Sequence, residues 1–212
     1  MRSFLSIIFL IFYSYSFTQE VKSESFSSRF TPTIKGAELI FCGNNHSFII
    51  KVFGKNIKPA EVSNEQNIPN QYFLSLDKTL LQFSLIPVPS SVLDVYNFDN
   101  PSLKEQEALL TGYVEYEIKY IREELQVSIL NAELKPGVAQ SRQYVLWRYK
   151  MPQSIPNKEI PVAQLYLSTI CFNHVLTINV PIFDENVLSK SRKLLEKIAN
   201  DIMLFEVGCS QK

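Results

Sequence analysis

Residues 162–182 read VAQLYLSTICFNHVLTINVPI, and this stretch decides the fold class. Two apolar runs, 162–172 and 175–182, flank the dipeptide Asn173-His174. Asparagine tolerates the positive φ of a tight turn, and strand-length apolar runs on both sides of such a turn are typical of a β-hairpin. We therefore predict two antiparallel strands that are joined at this dipeptide.

The side chains of this hairpin also predict how its strands pair. A turn at 173–174 places Leu167 opposite Val180 on an almost wholly apolar face, and Ser168 opposite Asn179 on a mixed face. A slip of one residue would mix the two faces, so the pattern specifies the register of the two strands.

Working outward, periodic patterns on the N-terminal side and beyond 182 predict the other elements. Ser102 and Glu105 form a capping box before an apolar stripe of helical spacing, and a second stripe from Val187 to Phe205 predicts a final helix. Strands are predicted at 38–42, 47–53, 71–76, 79–86, 127–134 and 143–151, with turns at 43–46, 77–78 and 135–137. This order predicts an α+β sandwich, a mostly antiparallel sheet flanked by two amphipathic helices.

The N-terminus has the pattern of a secretory signal. One basic residue precedes the apolar run 4–12, which is shorter than the ~20 residues of a membrane span. We predict a signal peptide at 1–18, and the alternative is an N-terminal helix that is kept as a tether. After cleavage we expect no membrane span. The domain prediction is a flexible lead-in at 19–36, a single α+β domain at 37–207 and a C-terminal tail at 208–212.

Composition excludes some classes of function. Lys+Arg and Asp+Glu both number 21, and this balance argues against a nucleic-acid-binding protein, which usually has a basic domain. The six glycines form no phosphate-binding cluster, and two histidines leave little material for a metal site. We therefore predict neither cofactor nor metal.

The cysteines and nearby polar residues offer few catalytic groups. Cys42 and Cys171 end predicted strands, so they either form a disulfide or remain small buried side chains, while Cys209 is expected to be unpaired. A Cys171–His174 nucleophile pair is disfavoured, because the predicted turn points the two side chains apart. Three carboxylate pairs are expected on helix surfaces or at a helix start: Glu115 with Glu117, Glu123 with Glu124, and Asp184 with Glu185.

An aromatic and polar set on neighbouring strands is the candidate binding face. It comprises Tyr144, Arg148, Tyr166 and Ser168. Tyrosine and arginine are favoured at binding hot spots, because they bury a large area and keep a polar group. The alternative is that both helices cover the sheet and the rings belong to the core.

From about residue 100 to residue 206, the element order resembles the PsbP-like fold. The segments YVLWRYKMP at 144–152 and QLYLST at 164–169, with the last hairpin and helix, are also similar to small uncharacterised secreted bacterial proteins. The resemblance implies an accessory role and carries over no catalytic residue. We expect a non-enzymatic, extracytoplasmic (periplasmic or secreted) module that binds a protein or small ligand or supports an envelope assembly. The alternatives are a membrane-tethered accessory domain and an extracytoplasmic hydrolase.

Overall fold

The structure is a computed structural model that describes residues 24–60, 71–89, 92, 101–152 and 160–209. The described residues form the following strands and helices. The strands are β1 (Ser27–Thr33), β2 (Gly36–Cys42), β3 (Ser47–Phe53), β4 (Ile57–Pro59), β5 (Gln71–Leu76), β6 (Thr79–Pro87), β7 (Leu130–Ala139), β8 (Arg142–Lys150), β9 (Ala163–Cys171), β10 (His174–Ile182) and β11 (Ile202–Phe205). The helices are α1 (Leu103–Glu123) and α2 (Leu188–Asn200). The prediction of an α+β fold with antiparallel strands is confirmed.

In the described part of the chain, the strands form two antiparallel sheets. The larger sheet has the order β4-β5-β6-β10-β9-β8-β7, and the smaller has the order β1-β2-β3-β11. One hydrophobic core lies between the larger sheet, the smaller sheet and α2. A second core lies on the opposite face of the larger sheet, beneath α1. The larger sheet is therefore covered on both faces, and every residue of β9 and β10 is buried.

The predicted central hairpin is present, but its turn lies one residue earlier than predicted, which shifts the strand pairing by two residues. Phe172 and Asn173 form the turn, and Phe172 has a φ of 56°. Leu167 lies opposite Ile178 and not opposite Val180. A shift of two leaves each side chain on its predicted face, because side chains alternate with a period of two. The predicted apolar face is confirmed, and the predicted pairing is wrong.

Two other predicted hairpins and the first helix are confirmed. β2 and β3 flank the turn at 43–46, and β5 and β6 flank Asp77 and Lys78, whose φ values are 52° and 106°. At the start of α1 the Glu105 backbone N–H donates to Ser102 Oγ at 3.3 Å, and the Ser102 backbone N–H donates to Glu105 Oε2 at 2.8 Å. These reciprocal bonds are the predicted capping box.

The turn predicted at 135–137 is wrong. Those residues lie inside β7, and the chain turns instead at Gln140 and Ser141, whose φ values are 47° and 64°. Two successive positive φ values match the twist of hairpin strands. Pro136 is tolerated because β7 is an edge strand. On the open side of an edge strand no neighbouring strand needs the N–H group that proline lacks.

Two further boundaries differ from the prediction. The final helix ends at Asn200, and Ile202–Phe205 forms β11, which pairs with β3. Residues 27–33, predicted to be part of a flexible lead-in, form β1 and pair with β2. The predicted signal peptide at 1–18 lies outside the described residues.

The disulfide joins Cys42 to Cys209, so the possible Cys42–Cys171 bond does not form, and the expectation that Cys209 is unpaired is wrong. Cys42 ends β2 in the smaller sheet, whereas Cys171 ends β9 in the larger sheet and remains a free, buried thiol. β11 brings the following residues back beside β2 and β3, where the Cα atoms of Cys42 and Cys209 are 5.3 Å apart. Glu24 reaches the same end of the smaller sheet, where its Oε2 lies 2.6 Å from His46 Nδ1.

This assignment predicts which thiol reacts. In the denatured, unreduced protein, an alkylating reagent should modify Cys171 and leave the other two cysteines unmodified, as read by peptide mass mapping. Modified Cys209 would instead indicate the Cys42–Cys171 bond. Because the bond closes a loop of 167 residues, Cys209→Ser should lower the free energy of unfolding by ~2–5 kcal/mol in denaturant titrations.

Candidate functional site

The four residues predicted to form one binding face lie on opposite faces of the larger sheet. In the β8–β9 pairing, Trp147 lies opposite Tyr166 and Val145 opposite Ser168. Side chains alternate along β8, so Tyr144 and Arg148 point to the other side. The predicted shared face is therefore wrong, because it combined two strands without their pairing register.

Arg148 takes part in a cluster of ion pairs. Its Nε and Nη2 donate to the two carboxylate oxygens of Glu133 at 2.8 and 2.6 Å, and its Nη1 lies 3.5 Å from Glu185 Oε2. The hydrogen bonds from Arg148 lower the pKa of Glu133. The Arg148 side chain is only 13% exposed. These contacts join β7, β8 and the segment before α2, so Arg148 has a structural role here.

Tyr166 and Ser168 belong to a buried aromatic layer beneath α1. The rings of Trp147 and Tyr166 stack with centroids 3.9 Å apart and planes inclined by 9°. Trp147 Nε1–H donates to Ser168 Oγ at 3.0 Å. For Tyr166 and Ser168, the alternative interpretation of core residues is the one that the structure supports.

A directional chain of hydroxyl groups continues from Ser168 towards α1. Ser168 Oγ lies 3.0 Å from Thr177 Oγ1, and Thr177 Oγ1 donates to the Tyr113 hydroxyl at 3.3 Å. An indole N–H can only donate, and the one Thr177 proton points to Tyr113, so Ser168 must donate to Thr177. The buried polar groups are thereby satisfied in a single order from Trp147 to Tyr113.

Two tyrosines and one carboxylate lie close to this chain. The hydroxyl oxygens of Tyr149 and Tyr166 are 3.3 Å apart. Burial, with a smaller contribution from the charge of Glu117, raises the pKa of Tyr149 to about 12 and that of Tyr166 well above its ordinary value. Glu117 is buried in α1 and does not lie on its outer surface as predicted. Both phenols stay protonated at neutral pH and act as hydrogen-bonding groups.

An apolar groove lies beside this network. Its volume is about 360 Å³. The residues that line it come from α1, from the chain after β6 and from β10: Ala108, Leu109, Gly112, Tyr113, Tyr116, Ile86, Pro87, Val88, Pro89, Val92 and Val175. The side chains that line it in the described ranges carry no charge. Tyr113, at the end of the hydroxyl chain, forms part of the wall. The groove has the size and apolar lining that are usual for a ligand site.

Gly112 faces the groove without a packing reason to be glycine. A Cβ atom built on Gly112 meets no atom within 4 Å, and its φ is not positive. Glycine in a helix interior costs ~0.5–1 kcal/mol relative to alanine, so this position gives up stability. The groove could not be predicted from the sequence, because its walls come from distant parts of the chain.

Cys171 and His174 were predicted to point apart, but the structure places them on the same face of the hairpin. Both side chains are buried, and the two residues lie directly opposite each other in the β9–β10 pairing. Burial raises the pKa of the Cys171 thiol to about 12 and lowers the pKa of His174 to about 4. Neutral groups of this kind do not form the thiolate that a cysteine nucleophile requires.

Among the described residues, no group of three or more His, Cys, Asp or Glu side chains converges as metal ligands would. Among the same residues, no helix combines the length and the apolar character that crossing a membrane requires.

Comparisons with known proteins find a likeness in structure and none in sequence. No family model matches the chain, and no curated protein matches it by sequence. The chain is similar in structure to cyanobacterial PsbP (CyanoP) from Synechocystis sp. PCC 6803. The TM-score is 0.46 and the sequence identity 12%, over 88% of this chain and 96% of that chain.

The pKa of His174 predicts a pH-dependent stability. Its folded pKa of about 4 lies below the ordinary value of 6.5, so the unfolded chain binds a proton that the folded chain excludes. The free energy of unfolding should therefore fall by up to about 3 kcal/mol between pH 7 and pH 4. Denaturant titrations of wild type and His174→Gln across this range measure the effect, and equal slopes in the two proteins would contradict it.

Two buried serines give a matched test of the hydroxyl chain. Ser168→Ala leaves the indole N–H of Trp147 without its acceptor, so it should cost ~1–3 kcal/mol. Ser84 Oγ is also buried, but it has no hydrogen-bond partner among the described residues. Ser84→Ala should be neutral or stabilising in the same denaturant titration. Equal losses from the two substitutions would show that the Ser168 bonds contribute nothing.

Proposed function

We propose that this protein is a non-catalytic, extracytoplasmic binding module, and that the apolar groove beside α1 is its binding site. The observation that carries the proposal is that a glycine, Gly112, lines the groove although no neighbouring atom excludes a side chain there. A helix interior retains a residue that costs stability, and the space that this residue leaves open is the groove. Binding sites commonly retain such destabilising features, because function and stability compete there.

The chemistry of the described residues supports binding over catalysis. Acid–base and nucleophilic catalysis need groups whose pKa lies near the working pH. Cys171 and His174 are instead shifted away from neutrality, and the phenols of Tyr149 and Tyr166 are shifted further above it. The groove itself is lined by uncharged side chains.

The proposed compartment rests on two features. The pattern at 1–18 is that of a secretory signal, and the Cys42–Cys209 bond suits an oxidising environment. Disulfides are rare where cytosolic reductants act. We place the binding activity outside the cytoplasm on these grounds.

Binding of the uncharged fluorescent probe N-phenyl-1-naphthylamine tests the proposal. Wild type should bind the probe and increase its fluorescence. Gly112→Leu should raise the melting temperature, because leucine is a better helix former, and should weaken probe binding about tenfold or more by filling the groove. A rise in stability together with a loss of binding is the expected result.

Glu115→Leu is the matched control. Glu115 is exposed on the same helix and does not line the groove, so this variant adds an equal apolar group elsewhere. It should bind the probe as wild type does. Undiminished binding by Gly112→Leu, or no binding by wild type, would exclude the groove as the binding site.

A further inference from the structure

We infer that the groove beside α1 takes up the single aliphatic chain of a monomeric amphiphile, whose polar head stays outside. This inference rests on the proposed function and names the ligand class. The lining is apolar, with the hydroxyls of Tyr113 and Tyr116 as its side-chain polar groups. A charged group in the groove would lose its hydration without a countercharge, so the part of the ligand that enters must be uncharged.

The volume limits the size of the ligand. At about 360 Å³ the groove lies at the small end of the ~300–1,000 Å³ range of ligand pockets, which suits one alkyl chain. Tyr116, which is 45% exposed, lies at the mouth and can contact both the chain and a polar head.

The surroundings of the groove do not suit a protein partner. A specific protein interface buries about 800 Å² on each side, with an apolar centre. Among the described residues, α1 offers Leu103 and Tyr116 as exposed large apolar side chains, while β6 and β10 offer none. The other such side chains lie on the smaller sheet, its turn and its C-terminal extension, on β7, or just before α2. A single half-open groove with a polar rim suits one alkyl chain better than it suits the broad surface of a protein partner.

The charges of α1 do not suit a membrane surface. Its exposed charged residues are four acidic and three basic: Glu105, Glu107, Glu115, Glu123, Lys104, Lys119 and Arg122. Attraction to anionic lipid headgroups requires a cluster of basic residues. A near-neutral rim instead favours an amphiphile that arrives as a monomer from solution.

Displacement of N-phenyl-1-naphthylamine by alkyl maltosides tests the inference. The maltosides have alkyl chains of 8, 10 and 12 carbon atoms and are used below their critical micelle concentrations. Each added methylene that enters the groove should tighten binding about fourfold, so each two-carbon step should give about fifteenfold. Gly112→Leu and Ala108→Leu, both exposed positions on the groove wall, should weaken dodecyl maltoside binding, whereas Glu115→Leu should not.

The outcomes separate the inference from the proposed function. If the probe binds in the groove but maltoside affinity does not depend on chain length, the inference is wrong while the binding site stands. If the probe does not bind, both fail. We expect no co-sedimentation of the protein with phosphatidylcholine vesicles. If wild type did co-sediment with them and Gly112→Leu did not, the assignment to a monomeric ligand would be overturned.

Discussion

The burial of both faces of the β9–β10 hairpin constrains the rest of the structure. No polar side chain in these two strands can reach water, so each needs a partner inside the protein. Thr169 donates to the carbonyl of Gln143 at 2.8 Å, and Asn179 donates to Gln164 at 3.0 Å. Ser168 and Thr177 are satisfied through Trp147 and α1. The bond from Thr177 to Tyr113 thus helps to position α1, which forms one wall of the groove.

Much of the fold could be predicted, because local chemistry and tertiary packing agree there. The turn residues at 43–46 and 77–78 and the capping box at Ser102 determine local backbone structure on their own. The errors occur where a local pattern fits two structures. Ile198 and Ile202 are spaced as on one helix face, but a strand also buries Ile202, and pairing with β3 decides between the two.

The candidate site was harder to predict than the fold. Period-two alternation divides β8 correctly into two faces, but alternation alone does not show which face of β9 lies beside each. That depends on pairing between Trp147 and Tyr166, which joins distant segments of the chain. The groove has the same origin, because residues 86–89 and 92 meet α1 only after folding.

Pro136 has a consequence for how the protein behaves in a crowded solution. β7 ends the larger sheet and exposes Leu134 and Val138, so its free edge could template pairing with another chain and lead to aggregation. The missing N–H of Pro136, flanked by Lys135, interrupts the row of donors that an added strand would need. The residue that misled the prediction of a turn therefore acts as a barrier to intermolecular sheet growth.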